Sequence, residues 1–308
     1  MLVTTSALPL DTLGATFGAR LRLNQPLARY TSARIGGTAD ALIDVHTAEE
    51  LEGDARKLWE LNLPFIVLGG GSNMLVSDAG VREVVLLNQA SQVRFENHSV
   101  WAESGAGLGA IARQAARKGL GGLEWAAGLP GTIGGAVAGN AGAHGGDMAG
   151  VLRMATILHQ EKGKQDWTAD DLAFTYRESA VKRSPSQAVV MAAGLALSLK
   201  AESEIRAQMD TFLAYRRLTQ PPGASMGSMF KNPSGDSAGR LIESAGLKGK
   251  KLGNAQISPL HANFFLNLGD ARASDVYALI EEAKEAVRSK FGIDLELEIA
   301  LVGEWNER

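Results

Sequence analysis

Fifteen residues near the middle of the chain, Gly128-Leu-Pro-Gly-Thr-Ile-Gly-Gly-Ala-Val-Ala-Gly-Asn-Ala-Gly142, include six glycines and no charged side chain. Glycine allows positive φ and leaves backbone N–H groups uncovered, so such a run brings main chain up against something. A phosphate-bearing or flat cofactor is the kind of surface it suits. A spanning helix is the competing reading, because Trp125 to Ala143 is nineteen residues without charge, close to the ~20 a bilayer requires. Pro130, Thr132, Asn140 and the glycines argue against it, since the segment lacks the leucine and isoleucine that favour insertion.

At 308 residues the chain is long enough for two or three compact units sharing a cleft. With 45% hydrophobic and 21% charged residues it has the make-up of a folded globular protein. The formal net charge of −3 argues against a nucleic-acid binder. Cysteine is absent, which excludes disulfides, thiolate catalysis, Fe–S clusters and cysteine-linked flavin. Its absence, together with an N-terminus lacking a basic leader and a long apolar stretch, places the expected location in the cytoplasm. The five histidines show no metal-ligand spacing, so no metal is expected.

Phe65-Ile-Val-Leu68 reads as a buried strand running into the glycine turn Gly69-Gly-Gly-Ser-Asn73, and Glu83 to Leu87 as a second strand. Ala48 to Leu61 reads as a helix. Leu108, Ile111, Ala112, Ala115 and Ala116 share one face of another helix, with Gly119 as its stop. Ser203 is the expected cap of a helix ending before Pro221-Pro222, and Ser274 of one ending at Gly292, followed by a strand from Leu295 to Val302. Strands and helices alternate in the first part of the chain, an α/β or α+β pattern. A shift from Gly/Ala-rich to charged composition near Lys200 divides the chain into expected units 1–85, 86–200 and 201–308.

Gly69 to Asn73 follows a strand as a dinucleotide fingerprint does, but Met74 occupies the position where that fingerprint needs its third glycine, and no phosphate-binding lysine follows. Alone it reads as a tight turn. Two backbone cradles in one chain imply a ligand with both extended phosphates and a flat ring system, such as FAD.

Taken in order, Gly69-Gly-Gly-Ser-Asn73, Gly128-Leu-Pro-Gly-Thr-Ile-Gly-Gly135 with Asn140-Ala-Gly142, Phe174-Thr-Tyr-Arg-Glu-Ser179, Gly227-Ser-Met-Phe-Lys-Asn-Pro233 and Leu295-Glu-Leu-Glu-Ile-Ala-Leu-Val-Gly303 resemble the UDP-N-acetylenolpyruvoylglucosamine reductases of bacterial cell-wall synthesis. The resemblance runs from about Tyr30 to Gly303 and is nearest to the shorter, type II members. It implies a two-part FAD-binding domain of the vanillyl-alcohol-oxidase type followed by a smaller α+β substrate-binding domain. It also implies non-covalent FAD, NADPH as reductant, UDP-N-acetylglucosamine enolpyruvate as substrate, and a monomer.

The same resemblance assigns the site. Gly69, Gly70, Gly71, Ser72, Asn73, Gly128, Gly131, Thr132, Gly134, Gly135, Asn140 and Gly142 are expected at the cofactor, with His144 a further possible flavin contact. Ser228 is expected to donate a proton, while Arg177 and Glu298 stabilise an enol-like intermediate. For that work Glu298 needs a raised pKa. Tyr176, Arg217, Lys231, Asn232 and His261 are expected to contact substrate. Without the resemblance, Gly-Ser reads as a turn, Arg177 as a surface cation and Glu298, between Leu297 and Ile299, as the solvent face of a strand. The chain departs from the family at Ala300, where the family usually has arginine. A flavin-dependent alcohol oxidase of the same fold and a non-catalytic nucleotide-binding protein are the alternative functions.

Overall fold

A computed structural model describes residues 8–305. Among the described residues, three sheets of four or five strands follow one another along the chain, beside three two-stranded pairings. The first has the order Leu21–Pro26, Thr38–Val45, Val81–Asn88, Phe65–Leu68, its last two pairings parallel. The helix Ala48–Glu60 makes the crossover that parallel strands require, capped by the Thr47 side chain. Val81–Asn88 straddles the expected division at residue 85.

The second sheet is wholly antiparallel, in the order Gly163–Trp167, Leu152–His159, Ala188–Ala196, Ser99–Glu103, Val93–Glu96. The helix Leu108–Arg117 covers it, burying the apolar face anticipated from its spacing. The third sheet, Ala224–Ser228, Phe264–Asn267, Ala255–Ile257 and Lys251–Leu252, is backed by Ala238–Ser244 and Ala273–Phe291. Gly292 ends the longer helix at φ +68, a left-handed cap that glycine adopts without steric cost.

Three expectations need correction. The helix Glu202–Thr219 begins before Ser203, and its Ile205 and Met209 pack on Ala116 and Ala127 of the second unit. We therefore place the second boundary near Pro221 instead of residue 200. Ser274 lies inside the helix Ala273–Phe291; the cap is Asp78, whose carboxylate oxygens accept from Ala273 N at 2.8 Å and Ser274 N at 2.9 Å. The strand expected over 295–302 is regular only at Ala300–Val302, which runs parallel to Met74–Val76 of the first unit. Within the run 128–142, Ile133–Ala138 is helical.

Candidate active site

The two glycine segments form a single seam. A Cβ on Gly69 would collide with the Thr132 hydroxyl, one on Gly70 would lie 3.0 Å from Gly131 Cα, and one on Gly131 would lie 2.8 Å from Ser72 Oγ. Gly71, at φ +55, lies so close to the Tyr30 carbonyl that no side chain fits. Above the seam is a cavity of about 490 Å³, bordered by Gly69, Gly70, Thr132, Gly105, Arg29, Tyr30 and Asn88 among others. Its lining holds one cation, Arg29, and no carboxylate. Bare backbone, hydroxyls and a cation suit a diphosphate, so the residues present fit a flavin dinucleotide.

Several other residues expected at the cofactor also make contacts within the fold. Gly128 leaves room for Leu213 and Arg216 of the helix Glu202–Thr219. Gly134 N donates to the Ser104 carbonyl at 2.7 Å, bringing the short helix onto the sheet, while Gly135 is exposed. The buried Asn140 amide donates to the Thr175 carbonyl at 3.0 Å and accepts from Ala149 N at 3.0 Å. His144 stacks on Phe212 with ring centroids 4.2 Å apart.

Asn73 leads out of the seam toward the chemistry. Its side chain donates to the Glu298 carbonyl at 3.1 Å, and its own carbonyl accepts from Ala300 N at 3.0 Å. Glu298 N in turn donates to the Met229 carbonyl at 2.9 Å, next to Ser228. The Glu298 carboxylate accepts from Arg177 Nε at 2.7 Å, with side chains 15% and 22% exposed. Burial pushes the Glu298 carboxyl above the usual range, although Arg177, Lys182 and Lys231 pull the other way. Arg177 also donates to the Gly142 carbonyl at 2.8 Å.

Ser228 ends the strand Ala224–Ser228, directly after Gly227 at φ +79 and a break in pairing register. Its hydroxyl makes no hydrogen bond among the described residues. The buried Asn263 clamps the segment that follows, accepting from Phe230 N at 2.9 Å and donating to the Phe230 carbonyl at 2.8 Å. Lys231 Nζ reaches Glu178 at 3.0 Å and Glu296 at 3.3 Å. Burial disfavours its charge, but these two carboxylates hold its pKa above the usual value.

The remaining expected substrate contacts separate. Tyr176 is exposed beneath the Arg177 guanidinium, and Arg217 is exposed. Asn232 caps the helix Ala238–Ser244 by accepting from Ala238 N, and His261 accepts from Asn263 N and packs beside Gly239. Glu178 and Lys182 were not anticipated at the site, and Arg216 was expected only as one of several basic residues in the last third of the chain. Arg216 is desolvated and has no carboxylate partner among the described residues, a property that depends on its neighbours in space. Among the described residues there is no cluster that could hold a metal ion and no helix long and apolar enough to cross a membrane.

Residues 39–163 match the family model of an FAD binding domain. With the glycine seam, this makes the chain an FAD-binding flavoprotein of the vanillyl-alcohol-oxidase fold type, carrying an added α+β domain. Residues 218–302 match the C-terminal domain of UDP-N-acetylenolpyruvoylglucosamine reductase, which agrees with a boundary after the helix Glu202–Thr219. The reductase of that name from Chloroflexus aurantiacus is 42% identical over 91% of this chain and 96% of its own length. The one from Bacillus velezensis is 40% identical over 91% and 93%. The crystal structure of the reductase from Thermus caldophilus superposes with a TM-score of 0.79 at 37% identity, over 92% of this chain and 99% of that one. The chain belongs to the UDP-N-acetylenolpyruvoylglucosamine reductase family.

Proposed function

We propose that this protein reduces UDP-N-acetylglucosamine enolpyruvate to UDP-N-acetylmuramate at the expense of NADPH. The observation that carries the reading is the Arg177–Glu298 pair at 2.7 Å, assembled from two units beside Ser228 and tied through Asn73 to the glycine seam. Gly69 to Gly71, Gly131 and Thr132 hold FAD, which supplies the hydride that the β-carbon of the enolpyruvyl group receives.

The chain's own groups handle the charge that follows. As the β-carbon gains hydride, negative charge builds on the α-carbon and its carboxylate. Arg177 answers it with a fixed cation, and Glu298, whose carboxyl burial pushes above the usual range, lies beside it at 2.7 Å as a second group able to hydrogen-bond the developing enol-like carboxylate. The free Ser228 hydroxyl delivers the proton to the α-carbon. Arg216 and Arg217, at the end of the helix Glu202–Thr219, offer guanidinium groups for the diphosphate.

Anaerobic half-reactions test this assignment. Ser228→Ala should accept electrons from NADPH normally, yet its reoxidation by the enolpyruvyl substrate should slow by ~10²–10⁴-fold. Equal losses in both halves would refute a proton-donor role. Reoxidation by oxygen alone, without substrate turnover, would point to an oxidase.

A further inference from the structure

Arg177 occupies a backbone conformation that side-chain-bearing residues disfavour, with φ +61. It is the third residue of a tight turn, closed by Thr175 N to the Glu178 carbonyl at 3.1 Å and Glu178 N to the Thr175 carbonyl at 3.2 Å. Two side chains secure that turn from outside. Asn140 donates to the Thr175 carbonyl at 3.0 Å, and Lys182 Nζ donates to the carbonyl of Arg177 itself at 2.8 Å.

Lys182 is in turn rigidly placed. It belongs to the short helix Ala180–Arg183, whose cap, the buried Ser179, accepts from Lys182 N at 3.2 Å and donates to the Ala138 carbonyl at 2.7 Å. Its ammonium also lies 3.4 Å from Glu178, which Lys231 shares. The charged groups around Glu298 are thus Arg177, Lys182 and Lys231 on one side and Glu178 and Glu296 on the other. Glu298 itself aside, the three cations outnumber the two carboxylates by one, a surplus available to a substrate carboxylate. Loss of Lys182 cancels it.

We propose that Lys182 is a positioning residue for the reaction: it holds the strained turn that presents the Arg177 guanidinium to Glu298 and supplies the surplus positive charge of that site. The inference rests on the reading of Arg177 and Glu298 as the groups that stabilise the intermediate. Burial of the Glu298 carboxyl and opposition by Lys182 are consistent with the geometry.

The test uses the holoenzymes of Lys182→Met and Lys182→Arg, with Arg177→Lys and Glu298→Gln as controls, in separate half-reactions. Lys182→Met should be reduced by NADPH at the normal rate, while its reoxidation by substrate slows by about 10²-fold, the scale of a displaced catalytic group. Lys182→Arg should recover most of that loss. Infrared titration of the Glu298 carboxyl should move to higher pH in Lys182→Met, because a cation favouring ionisation has gone and Arg177 is no longer held against it, and Lys182→Arg should restore it; a lysine needed only for folding would leave the titration of the folded holoenzyme unmoved. Normal reoxidation and an unmoved titration would overturn the inference, provided the control variants are slow. Controls that reoxidise normally would overturn the underlying reading instead. If Lys182→Met fails to retain flavin, Lys182→Gln decides by the same comparison.

Discussion

Two forces act on the Glu298 carboxyl. Burial favours the protonated form, whereas Arg177 at 2.7 Å and the more distant Lys182 and Lys231 favour the ionised one, and burial prevails. The folded chain therefore keeps this proton to a higher pH than the unfolded chain does. The associated stability is complete below the unfolded carboxylate pKa and is lost as pH rises through the raised folded value. Glu298→Gln should remove that decline, flattening the stability curve just above the ordinary carboxylate range in denaturant titrations taken across pH. An unchanged curve would mean that Glu298 is ionised in the native state. None of this is visible in Leu297-Glu298-Ile299, whose alternation describes an outward-facing carboxylate. What holds its backbone is a bond from its N–H to the Met229 carbonyl and one to its carbonyl from the Asn73 side chain, both residues far away in the chain.

At the scale of elements, the helix Ala273–Phe291 is held by a cap from another part of the molecule. Asp78 accepts from its first two N–H groups and lies 3.7 Å from Arg272. Burial raises the Asp78 carboxyl, but the Ser274 and Ala273 N–H groups outweigh it and hold its pKa below the usual range. Its contribution is present above the unfolded carboxylate pKa and fades as pH falls through the lowered value. Asp78→Ala should cost about 1 kcal/mol at neutral pH, the usual worth of an N-cap, with the difference from the parent shrinking in acid. Equal stability at neutral pH would rule the cap out. The helices were legible because apolar spacing is local: Leu108 to Ala116 and Val276 to Val287 bury the faces their periodicity implies. Their caps were less so, since Ser203 and Ser274 are good capping residues by type, but the chain enters both helices earlier. Ala300–Val302 pairs with Met74–Val76, a partner that no local window contains.

Across the whole molecule, the glycine seam draws on the turn Gly69–Asn73, on Gly131 and Thr132, and on Gly105 beside the cavity, so a ligand seated there binds the folded chain and not the unfolded one. FAD at about a hundred times its dissociation constant should therefore add about 2.7 kcal/mol to the stability of the flavin-free protein, read from unfolding midpoints with and without cofactor. No shift would mean that FAD does not bind the folded chain in preference to the unfolded one. Composition, glycine spacing and apolar periodicity were enough for an α/β or α+β pattern and for a flavin-like ligand, because turn chemistry and helix faces depend on near neighbours, whereas Arg177, Ser228 and Glu298 were singled out only by the family resemblance of the motifs that carry them. Long-range packing alone could join the two cradles into one seam, commit Gly128, Asn140 and Asn232 to structure, and bring Arg177 to Glu298 across a separation of 121 residues. It also surrounded that pair with Lys182, Lys231 and Glu178. Burial and electrostatic partnership are properties of neighbours in space, and those neighbours exist only once the chain has closed on itself.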